Sequence, residues 1–288
     1  MKEIAFISGK GGTGKSSISA AIATLGQNIV LADCDVDTAN LHILFNPEIN
    51  EEIPYIGSVT AVIDYSKCNT CEVCINSCKF DAIAMSQNKV IINPISCDGC
   101  YLCYRICPLN AINMIKNDKS RLYSGSFRYG KMLYGRISPG EENSGKLVNL
   151  VREKAKKIAK ENNIKTIIID GPPGIGCPVI SAITGVDKVV IITEPTVSGI
   201  SDMIRAVEIT RKLNINPFII INKNNLNEKV ASKIKKWCND HYINILGELP
   251  FEKQIVNAMV NKKSIIEWNK DLIISILIKE IYNKIILN

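Results

Sequence analysis

The chain has 288 residues, 46% of them apolar and 22% charged, with a formal net charge of +7. This composition supports a packed core and excludes a chain kept disordered by its charge. The apolar runs fall short of the roughly 20 residues that span a bilayer, and the first residues lack the apolar stretch of a secretory signal. A cytoplasmic location without membrane attachment is expected. The excess charge is mild and no nucleic-acid-binding motif accompanies it, so no nucleic-acid partner is expected.

In chain order, Ile4–Ile7 reads as a buried strand leading into Gly9-Lys-Gly-Gly-Thr-Gly-Lys-Ser16, and a helical pattern (Ile18, Ala21, Ile22, Leu25) follows. The pattern G-x-x-x-x-G-K-[ST] between a strand and a helix is a phosphate-binding loop. Gly9, Gly11, Gly12 and Gly14 let the backbone of the loop, Thr13 and Ser17 included, turn its N–H groups toward phosphates, and the helix N-terminus adds positive potential. Lys15 is expected to reach the β- and γ-phosphates of ATP, and the Ser16 hydroxyl to bind Mg²⁺.

Ile29–Ala32 reads as a second buried strand ending at Asp33. Residues 58–116 then break the rhythm. Cys68, Cys71, Cys74 and Cys78 recur 29 residues later as Cys97, Cys100, Cys103 and Cys107, and Ala82-Ile83 recurs as Ala111-Ile112. C-x2-C-x2-C-x3-C, twice and with Pro108 after the second run, is the spacing of bacterial ferredoxins with two [4Fe–4S] clusters, the fourth cysteine of each run serving the other cluster. The expectation is one cluster on Cys68, Cys71, Cys74 and Cys107 and another on Cys97, Cys100, Cys103 and Cys78. Zinc, which takes paired C-x2-C knuckles, and disulfides, rare in a reducing compartment, are the competing readings.

Beyond the repeat, Thr166–Ile169, Val189–Thr193, Phe218–Ile221 and Ile243–Gly247 read as strands, with helical stretches over 145–161, 200–213 and 227–240. Strands alternating with helices predict an α/β fold with a mostly parallel, doubly wound sheet. The predicted division is an ATPase domain over 1–57 and 117–288, interrupted at 58–116 by a small inserted α+β domain of bacterial ferredoxin type. The apolar positions of 271–282 wrap too much of a helix for a surface-lying anchor, so a core-packed last helix is expected.

The stretch K-G-G-T-G-K-S, with Lys10 at its start, resembles the deviant phosphate loop of the MinD/ParA/Mrp ATPases and the nitrogenase iron protein. The resemblance implies that Lys10 reaches the nucleotide across the interface of an ATP-bound homodimer. Leu31-Ala-Asp-Cys-Asp35 resembles the first switch of that group, which implies that Asp35 acts on the attacking water and that Asp33 lies close to the Mg²⁺ shell. Ile167-Ile-Ile-Asp170-Gly-Pro-Pro-Gly resembles its second switch, with Asp170 holding Mg²⁺ through water and Gly171 or Gly174 sensing the γ-phosphate. Asn222 and the Pro250 turn resemble its adenine-contacting positions. With the cysteine runs, the chain resembles MinD-superfamily ATPases carrying an inserted ferredoxin domain, departing from them at Lys79, where proline is usual.

That resemblance implies an ATPase whose dimer rearrangement gates electron transfer through two clusters to an unidentified redox partner. The alternatives are an ATP-dependent assembly factor or carrier for iron–sulfur and other metallocofactors, with its own acceptor protein, and a MinD-like positioning ATPase. Cys34 and Cys238 read as inert, and Cys177 sits just past the second switch.

Overall fold

The computed structural model describes residues 1–287 except 140 and 142. The chain opens with β1 (Lys2–Ser8), α1 (Lys15–Leu25), β2 (Ile29–Asp33), α2 (Leu41–Phe45) and β3 (Glu48–Tyr55). Then come β4 (Val59–Ile63), α3 (Val73–Ser77), β5 (Ile83–Ser86), β6 (Lys89–Ile92), α4 (Leu102–Ile106) and β7 (Ile112–Lys116). A hairpin, β8 (Ser120–Phe127) and β9 (Gly130–Arg136), precedes α5 (Ser144–Glu161), β10 (Thr166–Pro173), α6 (Cys177–Ile183), β11 (Lys188–Thr193) and α7 (Val197–Lys212). The remainder is β12 (Phe218–Asn222), α8 (Glu228–Asp240), β13 (Ile245–Leu249), α9 (Gln254–Val260), α10 (Ile265–Trp268) and α11 (Ile273–Leu287).

Nine strands form one sheet in the order β13-β12-β11-β1-β10-β2-β9-β8-β3. From β13 to β9 each neighbour is parallel, and β8 and β3 add antiparallel edges. The central strands carry continuous apolar runs, as in Ile4–Ile7 and Ile167–Ile169, because helices cover both faces of the sheet. In β1, Ala5 and Ile7 face the layer of α5 to α8, while Ile4 and Phe6 face the layer of α1 and α9 to α11. Ile167 and Ile169 of β10 and Ile219 and Ile221 of β12 repeat the first set, and Ile168 and Ile220 the second. On the second side α11 buries Ile274, Ile278, Ile281 and Ile285. No helix among the described residues is long and apolar enough to cross a membrane.

The interior strands lie where their β-branched runs predict them, with β13 displaced two residues toward the C-terminus and α7 starting at Val197 instead of 200. No strand is predicted over β3, β8 or β9. β3, the edge strand, exposes Glu48, Glu51 and Glu52 to water, and in β8 and β9 small and polar residues such as Ser120, Ser124, Gly125 and Gly130 break up the apolar runs.

The expected ferredoxin-type insert requires correction. Residues 59–116 form two separate two-stranded sheets, β4 with β7 and β5 with β6, with the single-turn helices α3 and α4. Cys68, Cys71, Cys74 and Cys107 line one cavity, and Cys78, Cys97, Cys100 and Cys103 line another. Yet among the described residues no group of three or more His, Cys, Asp or Glu side chains is placed to hold a metal ion. The assignment of two [4Fe–4S] clusters is therefore withdrawn, and with it the ferredoxin part of the fold class. Spacing decides which thiols become neighbours; it does not by itself make them converge on a metal.

Candidate functional site

The site gathers at the C-terminal ends of β1, β10 and β2, the edge of a parallel sheet where α/β proteins place ligands. Between β1 and α1 the loop turns through Gly12 at φ 80° and Gly14 at φ 89°, left-handed conformations that favour glycine. A Cβ on Gly14 would also lie 2.4 Å from Asn222 Nδ2, so the loop and the end of β12 are in direct contact. Asn222 Nδ2 donates to the Thr13 carbonyl at 2.7 Å, which fixes the loop's path.

Lys15 is buried at the start of α1 and lies 2.9 Å from Asp170 Oδ1 and 3.7 Å from Asp35 Oδ2. Burial alone would push its ammonium down, but the carboxylates of Asp170 and Asp35 outweigh this and raise it, so Lys15 stays charged. Ser16 Oγ donates to Asp170 Oδ2 at 2.6 Å, and Ser19 Oγ to Oδ1 at 2.9 Å. On the neighbouring strand Asp33 accepts backbone N–H groups from Asp35, Asn40 and Leu41, which ties the segment after β2 and the start of α2 to this carboxylate. Burial and then the nearby Asp170 raise Asp33 to about 7. Thr38 Oγ1 donates to Asp35 Oδ1 at 2.9 Å.

Three buried carboxylates around one ammonium leave an excess of negative charge in a low-dielectric place. The donors there are carboxylate and hydroxyl oxygens, the hard set that suits Mg²⁺, which is commonly held by one or two carboxylates together with substrate phosphates. The buried Thr13 Oγ1 has no hydrogen-bond partner among the described residues. The residues present therefore fit a magnesium–nucleotide complex.

Lys10 stands apart. Its Nζ lies 2.9 Å from Glu194 Oε1 and donates to Thr196 Oγ1 and Ser198 Oγ at 3.2 and 3.0 Å. Of the other expected residues, Gly9 is pressed against Asp202, and Gly11 is exposed. Ser17 turns away from the loop toward Met259 on α9, and Pro250 follows β13. Gly171 lies against Phe6 and Ile7 of β1, whereas Gly174, at φ 91°, stands in an open turn and donates to the Ser8 carbonyl. Cys177 is exposed at the start of α6, and Cys34 and Cys238 are buried. In the segment before α5, positions 140 and 142 lie outside the described residues.

Sequence reasoning missed Ser19, Glu194 and Lys223. Ser19 lies one helical turn after Ser16, and that i, i+3 spacing is the signal that could have found it.

The sequence model of the CobQ/CobB/MinD/ParA nucleotide-binding domain matches residues 4–265. The chain belongs to this family. It is an ATP-binding and ATP-hydrolysing enzyme. Uncharacterized proteins MJ0578 and MJ0579 of Methanocaldococcus jannaschii are 38% and 30% identical to this CobQ/CobB/MinD/ParA-family chain. Those alignments cover 98% and 93% of it and 96% and 93% of the relatives. Among solved structures, septum site-determining MinD of Pyrococcus horikoshii, complexed with Mg-ADP, superposes with a TM-score of 0.59 at 16% identity, over 99% of this chain and 96% of that one. Apo McdA from Cyanothece gives 0.61 at 14% identity over 99% of both. These two likenesses show the fold. The matched model is that of a nucleotide-binding domain, and no metal-holding group stands among the described residues, so the resemblance to a cluster-bearing branch is corrected to the ATPase family alone. The cluster-to-partner electron relay falls with it.

Proposed function

We propose that this protein is a MinD-like positioning ATPase, which alternates between a single and an ATP-bound paired state and offers its partner a surface present only in the pair. The observation that carries this reading is Lys10. A second loop lysine, held outside the Lys15–Asp170 cluster, is what a nucleotide sandwich between two copies needs. The ATPase body comprises residues 1–57 and 117–288.

In each copy the loop N–H groups and Lys15 bind the phosphates, and Lys10 of the partner copy adds charge from across the interface. Asp35 orients and deprotonates the attacking water. Ser16 and Asp170, with Asp33 behind them, would hold Mg²⁺, and the ion would supply charge neutralisation along the phosphates. Gly171 or Gly174, ahead of α6, senses the γ-phosphate. Asn222 and the Pro250 turn border the adenine. In each copy α11 keeps its apolar side in the core, which favours a protein surface over a lipid one as the partner.

The experiment is sedimentation of the wild type and of Lys10→Ala with ATP, ADP and no nucleotide, alongside ATP turnover and imaging of fluorescent fusions. Pairing with ATP alone, and a localised pattern that becomes diffuse in Lys10→Ala, are expected. A wild type that hydrolyses ATP as a single copy and stays diffuse would overturn the reading.

A further inference from the structure

Glu194 follows the C-terminal end of β11, and its side chain is 14% exposed. One carboxylate oxygen takes Lys10 at 2.9 Å and the other takes Lys223, also at 2.9 Å. Burial would raise this carboxyl, but the bonds from Lys223 and Lys10 outweigh burial and depress it, so it is charged at neutral pH. Lys223 also donates to the Gly12 carbonyl at 2.9 Å, and it sits at φ 54°, a left-handed backbone that lysine rarely adopts. Its position is thus held by two strong contacts against local strain. Lys10, with Glu194, Thr196 and Ser198, has a partner within its own copy for each of its three donors.

We infer that Glu194 is the positioning residue that parks Lys10 within its own copy, and that Lys223 is the replacement counter-ion that lets Lys10 leave for the nucleotide of a partner copy. This inference rests on the proposed ATP-dependent pairing. Stripping a carboxylate of its cation is costly where water is scarce. Here one ammonium remains on Glu194 when Lys10 departs, so the cost is only the difference between two neighbours and one. Glu194 and Lys223 should therefore act on pairing with opposite signs. Removing the charge of Glu194 frees Lys10, while removing Lys223 leaves Glu194 with Lys10 as its only close cation and tightens the parking.

The test compares the wild type, Glu194→Gln, Lys223→Met and the double variant. It measures the protein concentration at half pairing with a non-hydrolysable ATP analogue. It also follows the labelling rate of the Lys10 amine by acetic anhydride, read by mass spectrometry in nucleotide-free protein. Glu194→Gln is expected to label Lys10 faster and to pair at about fivefold lower concentration, the scale of one partly exposed charge-assisted bond. Lys223→Met is expected to slow labelling and weaken pairing, and to lose most of its effect in the double variant because both act through one carboxylate. A wild type that never pairs would sink the positioning reading, while the labelling still decides whether Glu194 parks Lys10. Pairing in the wild type with both variants shifted the same way, or with Lys10 labelling unchanged, would overturn the inference.

Discussion

At the residue scale the loop shows how one atom can be required. Gly14 combines a left-handed φ with a contact to Asn222 that leaves no room for a Cβ. Gly14→Ala is expected to add about 1–2 kcal/mol of backbone strain and to abolish ATP binding, measurable by calorimetry. Trimming the contact with Asn222→Ala is not expected to restore binding, since φ stays unfavourable. The sequence exposes such a position because the phosphate loop is a local motif, with its residues adjacent in the chain. Glu194 and Lys223 were illegible for the opposite reason: they lie 184 and 213 residues from Lys10, and only the order β12-β11-β1 brings them beside it.

At the element scale, Glu267 fastens the β8–β9 hairpin to α10. Its carboxylate accepts from Arg128 Nε at 2.8 Å, from the Ser264 N–H at 2.7 Å and from the Tyr129 hydroxyl at 2.9 Å. Burial would raise it, but these bonds, Arg128 foremost, hold it below the ordinary carboxylate value. A depressed carboxyl adds stability above its unfolded pKa of about 4.3 and loses it as pH falls through the folded value. Glu267→Gln is accordingly expected to unfold at lower denaturant concentration than the wild type at pH 7, with the gap closing below pH 4. Equal midpoints at both pH values would show that the bonds contribute nothing net. The hairpin itself escaped the sequence reading because serines, glycines and charged residues interrupt its apolar positions, a weaker signal than the unbroken runs of β1 or β10, although Leu122 and Leu133 serve one layer and Met132 and Tyr134 the other.

At the scale of the whole molecule, Arg152 of α5 joins three elements. It donates to the Ser181 and Thr184 carbonyls at the end of α6 and reaches Glu3 of β1 at 3.2 Å, with its side chain 3% exposed. Arg152→Met keeps the bulk but leaves Glu3 with only Lys156 at 3.4 Å, and should cost about 3–5 kcal/mol, as breaking a buried pair does. Denaturant titration checks this. Adding Glu3→Leu should recover a large part of the loss, because the stranded charge is what costs most. On the other face Ile281 of α11 sits where Gly247 admits it, and Ile281→Ala should cost about 2–5 kcal/mol as an unfilled core site.

The sequence by itself determined the phosphate loop, the interior strands and the alternation that makes the sheet parallel, because these are encoded by neighbours in the chain. It also named Asp33, at the end of β2, Asp35, two residues beyond it, and Asp170, within β10, through their resemblance to known switches. Tertiary structure decided the rest. It set three carboxylates around Lys15 and brought Ser19 to Asp170, and it gave Lys10 its resting place on Glu194. It also decided against the metal centres that the repeated cysteines had promised, since ligation depends on convergence in space and the spacing records only proximity along the chain.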